Sequence, residues 1–362
     1  MHINKVSTRI VSMPLKWDFS TPSGFQAKSV SYVLVQMYSN EGHQGFGYAL
    51  ALNGSRINVI KAMIDELTPL VVGEDPFCTE KIWQKLRRYT TFLGTEGLVV
   101  DCISAIDIAV WDLLGKITGQ PLCKLLGGDK PAVPIYASDG LWPSLPVDQL
   151  CREAENFLAQ GFKSIKLHIG HDPGLKKDVE RVKAVRQTIG EGVNLMVDAV
   201  QSWRPWQAIR IGRMLEEYNI YWMEDPVSAT DLEGSAQVAG ALDMAIAAGE
   251  WVYSPRGLMR LIESKAVDIL LIDIQRAGGV TGFKKIAAIA EAFEMPIAPH
   301  VFPEIGCHLV SALRNTLTVE YMTWSFPLFK EPPQVKDGMM LVPQKPGLGL
   351  ELDDKAVERF TV

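Results

Sequence analysis

Residues 193–250 read VNLMVDAVQSWRPWQAIRIGRMLEEYNIYWMEDPVSATDLEGSAQVAGALDMAIAAGE, and the pattern of this stretch decides the fold. Short apolar runs at 193–198, 220–224 and 244–250 predict strands, and the amphipathic stretches 206–218 and 230–240 between them predict helices. The predicted strands are apolar almost throughout, which is typical of parallel strands that are covered on both faces. The stretch is therefore predicted to be a series of βα units.

The same alternation continues on both sides of this stretch. The predicted strands lie at 133–138, 164–169, 193–198, 220–224, 244–250, 266–273, 295–300 and 317–321, and the predicted helices at 148–160, 175–189, 206–218, 230–240, 256–263, 280–293 and 305–314. Eight βα units over roughly 190 residues match the count and size of a compact (β/α)₈ barrel. We therefore predict a TIM-type barrel over residues 131–327.

The two ends of the chain differ from the barrel. Residues 1–130 show predicted strands near 4–13, 30–38 and 45–50, then predicted helices near 56–70, 78–90 and 97–118. This order predicts an α+β domain before the barrel. Residues 328–362 contain too many Pro and Gly for a ninth βα unit, and we expect this segment to run back over the first domain.

Composition and charge exclude several classes of protein. The 362 residues are 47% hydrophobic and 22% charged, which excludes disordered, collagen-like and coiled-coil chains. The net charge of −6 and the scattered basic residues argue against nucleic-acid or membrane-surface binding, so the expected partner is a small molecule. Five Cys without metal-ligand spacing, and the lack of a signal-peptide pattern, predict a cytoplasmic protein.

Three carboxylates close successive predicted strands. Asp198, Glu224 and Glu250 are 26 residues apart, about the length of one βα unit, so they are expected side by side at the carboxyl edge of the barrel. Three adjacent carboxylates repel one another unless a cation lies between them. Oxygen ligands alone suit a hard divalent ion, and we predict Mg²⁺. The alternative for a single Asp is a cap for the following helix.

Two basic side chains on another strand are candidates for proton transfer. Lys166 and His168 are two residues apart and point to the same face, here the mouth of the barrel. A lysine enclosed beside a metal is expected to have a lowered pKa, which makes it a usable base. The alternative is a surface lysine.

A carboxylate and an imidazole end the next two strands after the carboxylate set. Asp273 beside His300 would fix the tautomer of the ring and stabilise its protonated form, as a general acid or base requires. The alternative is a structural histidine. Among the tryptophans, Trp17 and Trp142 fall in predicted loops, where either ring could lie against a sugar.

Longer motifs resemble one family over essentially the whole chain. They are SAIDIAVWDLLGKITGQPLCKLLGG (104–128), IKLHIG (165–170), VDAVQSW (197–203), YWMEDP (221–226), AAGE (247–250), IDIQRAGGVTG (272–282) and PHVFPEIG (299–306). Together they resemble the enolase superfamily in its mandelate racemase subgroup. The resemblance implies an N-terminal α+β capping domain over a modified (β/α)₈ barrel and a homo-oligomer. It also implies Mg²⁺ on Asp198, Glu224 and Glu250, removal of a proton α to a carboxylate, and a hydrogen bond from Glu320 to that carboxylate.

Departures from the family pattern narrow the expected reaction. The subgroup usually shows Lys-x-Lys where this chain has Lys166-Leu167-His168, and Val200 replaces a common Asn, so racemisation through a second lysine is not expected. Asp273 stands where the muconate-cycloisomerase and dipeptide-epimerase branch carries a lysine, which argues against that branch. The acid-sugar group remains, in which an α-proton leaves and a β-oxygen is expelled.

Within that group the pattern is most similar to the 3,6-anhydro-L-galactonate cycloisomerases. There the departing oxygen is a ring ether and the product is a 2-keto-3-deoxy sugar acid, and the apolar Val200 fits a substrate with one hydroxyl tied up in a ring. The alternatives are a dehydratase of an open-chain aldonate or aldarate and, from another class, a non-catalytic sugar-acid-binding or scaffold protein.

Overall fold

The computed structural model describes residues 1–20, 25–171 and 175–362, with the backbone alone at 17–20. Within these residues, no helix has the length and apolar character that crossing a membrane requires.

An antiparallel sheet and three helices form the first part of the chain. They are β1 (Ile3–Ser20), β2 (Gln26–Ser39), β3 (Gln44–Leu52), α1 (Ile57–Leu67), α2 (Thr79–Tyr89) and α3 (Leu98–Thr118), with the strands in the order β1-β2-β3. Gly42, at φ +88°, supplies the left-handed position in the turn between β2 and β3. Gly47 lets α3 lie directly on β3, because a Cβ there would overlap the carbonyl oxygen of Ala105.

Eight parallel strands form the barrel. They are β4 (Ala132–Ala137), β5 (Ser164–His168), β6 (Asn194–Asp198), β7 (Ile220–Glu224), β8 (Ala245–Ala248), β9 (Ile269–Asp273), β10 (Ile297–His300) and β11 (Val319–Tyr321). Neighbours pair in order from β4 to β10, and β11 pairs with β4. Backbone hydrogen bonds of 2.9 Å from Ile297 to Asn315 and from Leu317 to Ile297 close the ring. The predicted barrel is confirmed, and each predicted strand bound lies within three residues of the observed one.

Helices surround the barrel and join it to the first part of the chain. They are α4 (Leu122–Leu125), α5 (Val147–Ala159), α6 (Lys176–Ile189), α7 (Pro205–Leu215), α8 (Leu232–Ala241), α9 (Ser254–Glu263), α10 (Ile274–Ala277), α11 (Gly279–Ala292) and α12 (Pro303–Ala312). Ile108 and Trp111 of α3 share one hydrophobic cluster with Val280 and Phe283 of α11. The N-terminal sheet and the barrel therefore pack through a common core, which fixes the first part of the chain against the barrel.

The last segment contacts both parts of the molecule. It contains β12 (Val335–Lys336), β13 (Met339–Leu341) and α13 (Asp354–Phe360). Thr361 bridges to Val11 of β1, whereas Met340 of β13 pairs with Val133 of β4. The last segment therefore contacts the first part of the chain at β1 and the barrel at β4.

The strand register aligns the polar residues at the carboxyl edge. His168 is the register partner of Asp198, Asp198 is that of Glu224, and Asp273 is that of His300. Because paired residues on adjacent parallel strands lie at the same height, these side chains form a ring around the mouth of the barrel.

Candidate active site

The structure brings every predicted site residue into one cluster at the carboxyl edge of the barrel. Lys166 and His168 come from β5, and Glu250 lies two residues beyond β8. The others end or occupy their strands: Asp198 on β6, Glu224 on β7, Asp273 on β9, His300 on β10 and Glu320 on β11. All are buried except His300, which is partly exposed.

Lys166 lies at the centre of this cluster, among three carboxylates. Its Nζ is 2.6 Å from Glu224 Oε1, 2.9 Å from Glu320 Oε1 and 3.4 Å from Asp198 Oδ2. Burial lowers the pKa of Lys166, but the charges of Glu224 and Glu320 outweigh it and hold that pKa well above its usual range. The prediction of a lowered lysine pKa is therefore wrong for this arrangement, because the sequence did not show how closely the carboxylates surround the ammonium.

The donor set of the three predicted metal ligands fits a hard divalent cation. Burial raises the pKa of Glu224 to about 7 against the opposing charge of Lys166, and burial together with the neighbouring Asp225 raises the pKa of Glu250. The Oε2 atom of Glu250 is buried and accepts no hydrogen bond among the described residues, although His300 Nε2 lies 3.2 Å from it. Buried carboxylates whose charged form is disfavoured, one of them with an oxygen that accepts no hydrogen bond, are suited to a cation.

In the present arrangement the ammonium of Lys166 partly satisfies these carboxylates. Across the described ranges, no three His, Cys, Asp or Glu side chains converge closely enough to hold a metal ion. Lys166 is within 3.4 Å of both Asp198 and Glu224. A cation bound by these carboxylates would compete with the lysine for the same oxygens.

Asp273 and His300 form the predicted dyad. His300 Nδ1 is 2.7 Å from Asp273 Oδ2, and since a carboxylate only accepts, Nδ1 donates. Burial opposes ionisation of Asp273, but Arg276 and His300 together hold its pKa below the usual range. The other nitrogen, Nε2, is 3.2 Å from Glu250 Oε2 and 3.9 Å from Glu320 Oε2. The ring therefore presents Nε2 toward the carboxylate cluster.

His168 is in the predicted place but in an apolar setting. Its Nε2 is 3.6 Å from Asp198 Oδ2, and its ring stacks on Trp142 with centroids 4.0 Å apart. Burial lowers the pKa of His168 to about 4, so the ring is neutral near pH 7. Trp142 is 2% exposed with one face on His168, so it is not the open sugar platform that its predicted loop suggested. The side chain of Trp17 lies outside the described residues.

Glu320 is held as a carboxylate by its surroundings. Its Oε1 accepts from Ser138 Oγ at 2.7 Å, and its Oε2 accepts from the backbone N–H of Val301 at 2.7 Å. Although burial opposes it, the charges of Lys166 and His300 lower the pKa of Glu320 to about 2.

Sequence reasoning missed three residues that contact the cluster. Trp222 Nε1 donates to Glu224 Oε2 at 3.0 Å, and Ser138 donates to Glu320 as described above. Arg276 donates to Asp273. Three signals in the sequence could have found them: the period-2 alternation that places Trp222 and Glu224 on one face, the position of Arg276 three residues after Asp273, and the position of Ser138 at the end of the predicted strand 133–138.

Comparison with known proteins places the chain in a family. Residues 5–127 match the model of the mandelate racemase / muconate lactonizing enzyme N-terminal domain, and residues 149–356 match the enolase C-terminal domain-like model. The L-talarate/galactarate dehydratase of Salmonella typhimurium is 36% identical over 90% of this chain and 82% of its own length. The 3,6-anhydro-alpha-L-galactonate cycloisomerase of Streptomyces coelicolor is 32% identical over 99% of each chain.

A solved structure extends the comparison to the whole fold. A mutant of L-talarate/galactarate dehydratase, liganded with Mg and L-glucarate, superposes with a TM-score of 0.94 at 34% identity and covers 99% of this chain and 92% of the other. The chain belongs to the enolase superfamily, in its mandelate racemase subgroup.

Proposed function

We propose that this enzyme uses Mg²⁺ to remove the α-proton of an acid sugar and then expels the β-oxygen. The observation that carries the proposal is the placement of two proton-transfer groups around one carboxylate cluster. Lys166 lies within 3.4 Å of Asp198 and Glu224, and His300 Nε2 lies 3.2 Å from Glu250. This arrangement suits removal of a proton at one carbon and delivery of a proton to a leaving group nearby.

Asp198, Glu224 and Glu250 are the proposed ligands of the metal. When bound, Mg²⁺ supplies the positive charge that stabilises negative charge on the substrate carboxylate. The remaining steps belong to the chain itself. We assign removal of the α-proton to Lys166 Nζ, which must first give up its contacts with the carboxylates and lose a proton.

His300 is the proposed acid. As an imidazolium, it donates from Nε2 to the departing oxygen while Asp273 holds Nδ1 at 2.7 Å. Glu320 is the proposed contact to the substrate carboxylate, and it must carry a proton to donate that hydrogen bond, since here it is ionised. His168 is neutral and is the second candidate for the base, and the reverse assignment of Lys166 and His300 is the other alternative.

The finer proposal is cycloisomerisation of 3,6-anhydro-L-galactonate to 2-keto-3-deoxy-L-galactonate. It is supported by the relative that matches 99% of both chains and by the apolar Val200 close to the metal-ligand strand. The second candidate is dehydration of an open-chain aldonate or aldarate, which the 36% identity with a talarate/galactarate dehydratase favours. The two reactions share the same catalytic groups and differ in whether the leaving oxygen is a ring ether or a hydroxyl.

A panel of acid sugars tests the proposal. Each compound is incubated with the purified protein and Mg²⁺, and 2-keto-3-deoxy product is measured, with 3,6-anhydro-L-galactonate and L-talarate included. Turnover of the anhydro acid supports the finer proposal, and turnover of open-chain acids alone selects the dehydratase. Tight binding of an acid sugar without any product would instead support a non-catalytic binding protein. The homo-oligomer and the cytoplasmic location stay predictions. Light scattering tests the oligomeric state.

A further inference from the structure

Arg276 joins the ends of two barrel strands that carry site residues. It lies on α10, three residues after Asp273. Its Nη1 donates to the backbone carbonyl of Glu250 at 2.9 Å and to Asp273 Oδ2 at 3.2 Å. The same Asp273 oxygen accepts from His300 Nδ1. One guanidinium therefore connects the dyad to Glu250, the residue proposed as a metal ligand just after β8.

The guanidinium is itself held by aromatic side chains. Trp251 and Tyr253 follow Glu250 in the chain, and their ring centroids lie 4.9 Å and 5.8 Å from the Arg276 guanidinium carbon. The Arg276 side chain is 23% exposed. Such contacts favour a planar, weakly hydrated cation in a fixed orientation, which a lysine ammonium would not reproduce.

The N-terminal part of the chain adds a further carboxyl group near Arg276. Asp101, in the first turn of α3, interacts electrostatically with both Arg276 and Asp273. Its Oδ1 is buried without a hydrogen-bond partner in the described part of the chain. The ionisable groups that act on Arg276 are thus Asp273, Tyr253, Glu250 and Asp101.

We propose that Arg276 is a positioning residue, which holds Asp273 Oδ2 toward His300 and fixes the separation between the dyad and Glu250. This inference rests on the proposed function. The backbone N–H of Arg276 also donates to Asp273 Oδ1 at 2.7 Å, and that bond survives any substitution of the side chain. The side chain therefore determines the orientation of the second oxygen, Oδ2, and through it the orientation of the His300 ring.

Arg276→Met and Arg276→Lys test the role. The Met variant keeps the apolar stem without charge or donors, and the Lys variant keeps the charge without the planar fork. We expect Arg276→Met to lower kcat by about 10- to 100-fold, the usual range for an outer-shell partner, with KM nearly unchanged. In D₂O the ratio of α-deuterium exchange to product should rise. The reason is that His300 no longer donates a proton efficiently to the departing oxygen, while Lys166 still removes the α-proton. The Lys variant should recover only part of kcat.

Arg186→Met is the matched control. Arg186 is a buried arginine of α6 whose guanidinium donates to backbone carbonyls, among them those of Tyr218 and Asn219 at 2.8 Å and 2.9 Å. Its loss should lower Tm without changing the ratio of exchange to product. Equal losses of exchange and product in Arg276→Met, with a Tm drop like that of the control, would assign Arg276 a purely structural role.

A measurement without substrate separates this inference from the proposed function. In protein labelled with ¹⁵N-histidine, the His300 resonances, assigned with His300→Asn, report which ring nitrogen carries the proton. We expect Arg276→Met to change the Nδ1 signal and Arg186→Met to leave it unchanged. An unchanged His300 signal in Arg276→Met overturns the inference even if acid sugars are turned over, whereas a changed signal upholds it even if the wild type turns over none.

Discussion

Asp273→Asn is the substitution that most selectively disturbs the proposed acid. The carboxylate accepts three hydrogen bonds: Oδ1 from the backbone N–H of Arg276, and Oδ2 from His300 Nδ1 and Arg276 Nη1. An Asn can keep its oxygen at the Oδ1 position, so the cap at the start of α10 and the fold should survive. Its amide nitrogen then occupies the Oδ2 position and presents N–H groups to two donors.

The magnitude follows from the lost bond. With an amide N–H facing it, His300 must turn an unprotonated Nδ1 toward residue 273, so the imidazolium loses its partner. A hydrogen bond to a charged group contributes about 1.5–3 kcal/mol. Since about 1.4 kcal/mol on a barrier is tenfold in rate, kcat should fall about 10- to 100-fold.

The assay compares kcat and its pH profile in Asp273→Asn and in a matched variant of the same strand. Asp268 lies just before the opposite end of β9, where its Oδ2 accepts from the backbone N–H of Ile246 at 2.8 Å. Asp268→Asn makes the same chemical change away from the site and should leave kcat unaltered. A wild-type rate and pH profile in Asp273→Asn, with Tm preserved, would show that the dyad does not act in the reaction.

Three further perturbations test other parts of the structure. Exhaustive chelation should abolish turnover and Mg²⁺ should restore it, because the carboxylates need a cation to balance substrate charge; full turnover after chelation would exclude the metal role. His308 accepts from the Cys123 N–H and donates to the Leu348 carbonyl, and burial lowers its pKa to about 4, below the unfolded value of about 6.5. Its stability contribution is therefore complete above pH ~6.5, and about 3 kcal/mol is lost as the pH falls toward ~4; His308→Gln should flatten that part of the Tm–pH curve, and an unaltered curve would contradict the assignment. Gly47→Ala should cost about 1–3 kcal/mol or more, because its Cβ meets the α3 backbone, whereas Gly240→Ala, where a Cβ meets nothing within 4 Å, should leave Tm equal or slightly higher.

The barrel and the ring of site residues could be predicted because both depend on adjacent strands. Apolar runs at intervals of one βα unit show where the strands lie in the sequence. A polar residue at the end of such a run must lie at the carboxyl edge of the barrel. Asp198 and Glu224 therefore align in the register as their spacing predicts.

What could not be predicted depends on contacts between strands that are not adjacent. Glu320 of β11 contacts Lys166 of β5. Together with Glu224, it raises the pKa of Lys166, whereas the sequence predicted a lowered pKa. The stacking of His168 on Trp142 likewise depends on how a loop folds over β5. Sequence spacing does not report the distance across the mouth of a barrel or the path of a loop above it.

Solvent deuterium exchange distinguishes the roles proposed for Lys166 and His300. An acid sugar that is turned over is incubated in D₂O with Mg²⁺ and wild type, Lys166→Ala or His300→Asn, and NMR follows deuterium at the α-carbon and the 2-keto-3-deoxy product. Folding of each variant is checked by Tm. We predict no exchange in Lys166→Ala, and exchange without product in His300→Asn. Exchange that survives in Lys166→Ala and vanishes in His300→Asn would contradict it.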